Sequence, residues 1–154
     1  MNLSLIMESL NIILLVKGKA KQNIFEKAQN INFFPLTEKF LSNTEFKKPF
    51  DITLLGMGED GHFASLFPDM INQNEAFDLN ASPKILITPP QGNPLIPRIT
   101  MNLSLIMESL SIILLVKGKV KQNIFEKAQK EKKLPIHHLI KNRNQDFFIE
   151  KVND

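Results

Sequence analysis

The chain has 154 residues, a length that suits one domain able to bury about two thirds of its unfolded surface when all of it packs. Its apolar fraction of 43% and charged fraction of 23% are ordinary for a globular protein, and a formal charge of +3 is too mild to argue for nucleic acid. Cysteine is absent, which excludes disulfides and thiolate metal sites and fits a reducing cytoplasm.

The first segment reads as helix, strand, turn and helix. Leu3, Ile6, Met7 and Leu10 share one helical face, Ile12 to Val16 is a strand, and Gly18 turns the chain. Lys19 to Gln29 then suits a helix with Ile24, Phe25 and Ala28 inward. This opening is not expected to be a secretory signal, because it lacks a basic leader and Glu8 and Asn11 interrupt its apolar run. It also recurs: Met1 to Gln29 repeats as Met101 to Gln129, with Asn11 against Ser111 and Ala20 against Val120 the only differences. Two copies separated by unrelated sequence do not make a solenoid. The expected organisation is therefore a duplicated segment over 1–30 and an α/β domain over 31–154.

Farther along, Phe33 to Asn43 is predicted helical, with Pro35 near its start. Buried strands are expected near 52–57, 85–88, 98–103, 112–116 and 147–150, with helices between most of them, and Met70 to Pro83 is a polar connection. No stretch approaches the ~20 apolar residues that cross a bilayer. The expectation is a cytoplasmic protein with no membrane or nucleic-acid partner.

The densest chemical signal lies at residues 53–69. An apolar strand, Ile52 to Leu55, runs into Gly56, Gly58 and Gly61, three glycines in six residues, which suit a backbone that turns sharply and approaches a ligand. Asp60 and His62 project from that loop. Histidine can take a proton from water and return it within one turnover, and a neighbouring carboxylate fixes its tautomer. An isolated Asp-x-His is more often a loop histidine bonded to backbone, and the surrounding residues reverse that balance.

Two basic residues stand out. Arg98 follows a proline-rich connection (Pro89, Pro90, Pro94, Pro97), where a guanidinium can grip a phosphate with two prongs. An exposed surface arginine fits that position equally well. Lys121 falls in the first turn of a helix after the strand Ile112 to Val116, where amides already favour an anion, although a solvated lysine is the common outcome for that residue type. His137 and His138 have no acidic or histidine partners at ligand spacing and read as surface residues, and Lys130 to Lys133 read as a solvated helix end. No motif points to a cofactor or a metal.

Gly56-Met57-Gly58-Glu59-Asp60-Gly61-His62-Phe63-Ala64-Ser65-Leu66-Phe67-Pro68 resembles the signature of the 6-phosphogluconolactonases, which hydrolyse 6-phosphogluconolactone in the pentose phosphate pathway. Pro49-Phe50-Asp51 fits the approach to that strand. Pro97-Arg98-Ile99-Thr100 is similar to the family's Arg-Val-Thr segment, and Leu115-Val116-Lys117-Gly118-Lys119-Val120-Lys121 to its Val-Thr-Gly-x-x-Lys turn. Leu134-Pro135-Ile136 and Phe147-Phe148 fit its closing helix and last strand, so the resemblance runs in order from about Pro49 to about Glu150. The related glucosamine-6-phosphate deaminases share the Asp-Gly-His loop but continue into Ile-Ala-Phe-Asn-Glu-Pro. Phe67 stands where their proton-transferring Glu would be, which favours the lactonase.

The resemblance implies a Rossmann-like α/β fold, an open and mostly parallel sheet flanked by helices. It implies His62 as general base, Asp60 as its orienting partner, amides of the Gly56, Gly58 and Gly61 loop near the oxyanion, and Arg98 and Lys121 on the phosphate of a phosphorylated sugar lactone. The family's Ser-Gly-Gly-Ser-Thr-Pro phosphate loop and Asp-Glu-Arg segment do not occur in these residues. The fold is thus incomplete relative to the family, and two alternatives stay open: an inactive remnant that binds phosphosugars, or self-association through an exposed sheet edge. The first copy of the repeat offers a strand and helix for the vacant sheet position, without the phosphate-loop chemistry; debris of a gene rearrangement that docks poorly or not at all fits it equally well.

Overall fold

The computed structural model describes residues 12–14, 50–71, 73–142 and 147–152, and the expected helix Phe33 to Asn43 lies outside them, as does most of the first copy of the repeat. A parallel sheet carries the site. Its strands are β1 (Ile12–Leu14), β2 (Ile52–Gly56), β5 (Ser111–Lys117) and β6 (Phe147–Val152), ordered β1-β2-β5-β6. All three pairings are parallel. β2 therefore has a strand from each copy of the repeat as neighbour. The copies meet it one residue out of step: Thr53 lies beside Ile13 on one side and Ile112 on the other, whereas Ile13 corresponds to Ile113 in the repeat.

Alternation in β2 and β5 shows how the sheet is seated. Thr53 and Leu55 are fully buried, as are Ile112, Leu114 and Val116. Their neighbours Ile52, Leu54, Ile113 and Leu115 are half-buried, so one face meets the main core. Helix α3 (Lys119–Ala128) packs on β5 and against α4 (Pro135–Lys141). Phe125 and Ala128 give α3 its inward face, while Pro135 opens α4 at a position where a missing N–H costs nothing.

Strands β3 (Ile85–Gln91) and β4 (Ile96–Met101) lie outside the parallel sheet and pair with each other as a separate antiparallel ribbon. The sequence placed strands near 85–88 and 98–103 without assigning their partners, and the structure pairs them with each other. Only four residues separate them, and a parallel pair needs a crossover of a dozen or more. Gly92, at φ +73°, helps to turn the chain. The register shift between Thr88 and Gln91 coincides with Pro89 and Pro90, which have no N–H for a ladder. β4 also ends earlier than residue 103, because Asn102 caps helix α2 (Leu103–Met107): its Oδ1 accepts from the amides of Leu105 at 3.1 Å and Lys84 at 3.0 Å.

The connection expected over Met70 to Pro83 is partly ordered into a 3-10 turn, Pro68–Met70, and a short helix α1 (Asn74–Phe77) that packs on α2. Met70, Ala76 and Phe77 are buried, so three apolar residues anchor a segment otherwise rich in polar ones. The surface reading of His137 and His138 is also overturned. His137 is buried with Nδ1 donating to the Ala128 carbonyl at 2.7 Å, and His138 is half-buried against Phe77. Their positions on the inner side of α4 decide this, and a helix only seven residues long gives too little periodicity to reveal it. No helix among the described residues is long and apolar enough to cross a membrane.

Candidate active site

A cleft of about 350 Å³ opens at the carboxyl end of β2, lined among others by Gly56, Gly58, His62, Phe67, Arg98 and Lys121. The loop after β2 folds back on itself to form one wall. Gly58 N donates to the His62 carbonyl at 2.8 Å and Gly61 N to the Gly58 carbonyl at 3.2 Å. Met57 pairs with Phe63, and Phe63 with Leu66. Gly61, at φ +79°, takes a conformation that costs other residues about 1–2 kcal/mol. Its carbonyl accepts from Ile136 N at 3.0 Å, tying the loop to α4.

Within this loop one carboxylate oxygen, Asp60 Oδ1, accepts from both the backbone amide of His62 at 3.1 Å and the ring Nδ1 at 2.5 Å. Since a carboxylate only accepts, Nδ1 carries the hydrogen and the lone pair of the neutral ring resides on Nε2. The His62 side chain is 35% exposed, so water can reach it. A Cβ on Gly58 would overlap the His62 ring, which is why glycine is required there. At Gly56 the space around a Cβ is open, so sterics do not dictate that glycine.

The expected oxyanion donors fare differently. The Gly58 and Gly61 amides are engaged inside the loop, and Gly61 abuts Leu134 and Pro135 without lining the cleft. Asp60 likewise acts from behind His62 and does not line the cleft.

Arg98 is held by backbone. Its Nε and Nη2 each lie 3.4 Å from the Gln91 carbonyl, and Nη2 donates to the Pro94 carbonyl at 3.0 Å. Lys121, in the first turn of α3 behind Gly118 (φ +82°), contributes the second cation of the cleft. Hence the structure gathers His62, Gly56, Gly58, Arg98 and Lys121 around one cavity.

Three participants have contacts that the sequence did not assign to them. Thr100 is fully buried, and its hydroxyl donates to the Ala64 carbonyl. That contact steadies Ala64 (φ +47°) and Ser65 (φ +62°), consecutive non-glycine residues in the left-handed region. Because i and i+2 share a face of a strand, the pairing of Thr100 with Arg98 was a usable signal. Phe67 stacks on the His62 ring with centroids 4.5 Å apart at 31°, and Arg98 Cζ lies 5.7 Å from the centre of the same phenyl ring. Gly92 leaves room for both: a Cβ there would sit 2.9 Å from Phe67 Cζ and 3.1 Å from Arg98 Nη2.

A parallel α/β sheet with a cleft beyond the carboxyl ends of its strands, the place where such sheets take ligands, defines the class. Within it, residues 35–149 match the family described as glucosamine-6-phosphate isomerases/6-phosphogluconolactonase, and the chain belongs to that family. It is 35% identical over 94 residues to the 6-phosphogluconolactonase of Caulobacter vibrioides, covering 60% of this chain and 40% of that protein. It is 32% identical over 105 residues to that of Thermotoga maritima, covering 66% and 43%. The crystal structure of a 6-phosphogluconolactonase from Shewanella baltica superposes with a TM-score of 0.66 at 25% identity, over 83% of this chain and 59% of that one. The chain thus spans about two fifths of the length of the first two relatives.

Proposed function

We propose that this chain hydrolyses 6-phospho-D-glucono-1,5-lactone to 6-phosphogluconate in the pentose phosphate pathway. The observation that carries the reading is the His62 imidazole, tethered to Asp60 through Nδ1, facing a cleft shared with Arg98 and Lys121. The names of the relatives support the same reaction. Nε2 of His62 takes a proton from water as its oxygen attacks the lactone carbonyl carbon. The resulting imidazolium, steadied by the Asp60 carboxylate, returns the proton to the ring oxygen as the carbon–oxygen bond breaks. Arg98 and Lys121 hold the remote phosphate, and that binding energy serves orientation.

The test is loss of lactone in a purified sample, measured against the spontaneous rate. Rapid loss that vanishes in His62→Gln supports the reading, and a rate equal to the uncatalysed one in the parent overturns it. A second reading, phosphosugar binding without turnover, is favoured by one observation: the Gly58 and Gly61 amides are already engaged, so they do not serve a developing oxyanion. Binding of 6-phosphogluconate with no excess hydrolysis would select it. Phe67 at the position of the deaminase Glu speaks against amino-sugar chemistry, because a phenyl ring transfers no proton.

A further inference from the structure

Phe67 has no proton to give and no charge, yet it is 4% exposed in the wall of the cleft and touches both chemically active groups. Its ring is stacked against His62 at 4.5 Å, and the Arg98 guanidinium lies 5.7 Å from its centroid. Hydrogen bonds around that ring join its loop to the ribbon. Two residues beyond it, Asp69 Oδ2 accepts from Gln91 Nε2 at 2.7 Å. The Gln91 carbonyl in turn faces Arg98 Nε and Nη2 at 3.4 Å, and Gly92 abuts both Phe67 and Arg98. The loop that carries the proton-transferring residue and the ribbon that carries the cation are tied by the Asp69–Gln91 and Thr100–Ala64 hydrogen bonds, and Phe67 is the side chain that meets both His62 and Arg98.

We infer that Phe67 is a positioning residue that couples His62 to Arg98, so that an anion captured by the guanidinium also sets the imidazole. The negative face of an aromatic ring attracts a guanidinium, and a tilted stack restricts the imidazole to a narrow range of orientations. Leucine would fill the volume but supply neither effect. Glutamate would place a carboxylate beside Arg98 and compete with phosphate for it. What the coupling serves rests on the lactonase reading; its existence does not.

The experiment follows the His62 ring resonance by NMR, assigned with His62→Gln, while inorganic phosphate and then 6-phosphogluconate are added. In the parent the resonance is displaced by the Phe67 ring current and moves on saturation. In Phe67→Leu that displacement is lost, the response to phosphate disappears, and phosphate affinity falls roughly 3- to 30-fold. Phenylalanine carrying one, two or three fluorines, introduced at position 67 alone, keeps the shape while draining the ring's negative face. Affinity then falls stepwise with unchanged circular dichroism and melting temperature, which decides the matter even where Phe67→Leu does not fold. A flat fluorine series, or an undiminished His62 response in Phe67→Leu, overturns the inference. Absence of turnover in the parent would remove the lactonase reading while the coupling stayed measurable.

Discussion

His62 owes its usable nitrogen to Asp60, since a single carboxylate oxygen accepts from both the ring and the amide of the same residue. Replacing Asp60 with Asn frees the tautomer, and kcat is expected to fall on the order of 10²–10⁴-fold, the range of a disabled general base, with KM little changed. Steady-state kinetics on the lactone check this, and an unaltered kcat would remove Asp60 from the mechanism. Arg98→Ala and Lys121→Ala are each expected to weaken 6-phosphogluconate binding by about 1.5–3 kcal/mol, the worth of a hydrogen bond to a charged group, and to leave gluconate unaffected. Equal losses for both ligands in calorimetry would show that neither cation reads phosphate. These residues could be singled out in the sequence because contiguous motifs carry them: Asp60 and His62 sit among glycines, Arg98 follows a proline-rich connection and Lys121 opens a helix, and the family resemblance supplied their expected roles. The contacts of Phe67 and Thr100 could not be read this way, because each works only through a partner distant in the chain: Thr100 through Ala64, Phe67 through Arg98.

Among the elements, α2 depends on its cap. Asn102 is fully buried, and besides receiving the amides of Leu105 and Lys84 it donates from Nδ2 to the Ser82 carbonyl at 3.0 Å. Asn102→Ala removes the cap and leaves buried backbone groups unsatisfied, so a loss of at least the ~1–2 kcal/mol of a cap alone is expected, read from denaturant midpoints. Helix α4 contributes a pH dependence through His138. Burial, then the neighbouring His137 and Lys141, hold the His138 pKa below the usual histidine value, against an opposing hydrogen bond with the Lys132 backbone. The folded state therefore binds fewer protons at His138 than the unfolded chain does. That contribution is present in full above the ordinary value near 6.5 and is lost as pH falls through the lowered one. Melting temperature is expected to decline as pH drops below about 6.5, and His138→Gln should flatten the slope. The strand sequences of the parallel sheet were readable as short apolar runs, but the pairing of β3 with β4 was not, since apolar periodicity specifies a strand without choosing its partner.

At the scale of the whole molecule, the repeat is the unusual property, and its outcome turns on β2. Sequence showed the duplication outright, yet it could not show which neighbour the first copy takes, because both copies carry the same strand and β2 has two edges to offer. In the structure Ile12–Leu14 lies parallel to Ile52, Thr53 and Leu54, while Ser111–Lys117 takes the other side. We propose that the first copy supplies the strand that completes this edge. Deleting Met1 to Gln29 would then leave the backbone of Ile52 to Leu54 unpaired on one side of a strand whose Thr53 and Leu55 are fully buried. An unpaired edge of that kind recruits another chain, so the truncated protein is expected to elute as dimers or larger species in size-exclusion chromatography. Amides of Ile52 to Leu54 that bonded toward β1 are expected to exchange faster at low concentration and to regain protection as the chains associate. A truncated chain that stays monomeric with unchanged exchange at Ile52 to Leu54 would show that the first copy is dispensable to the sheet.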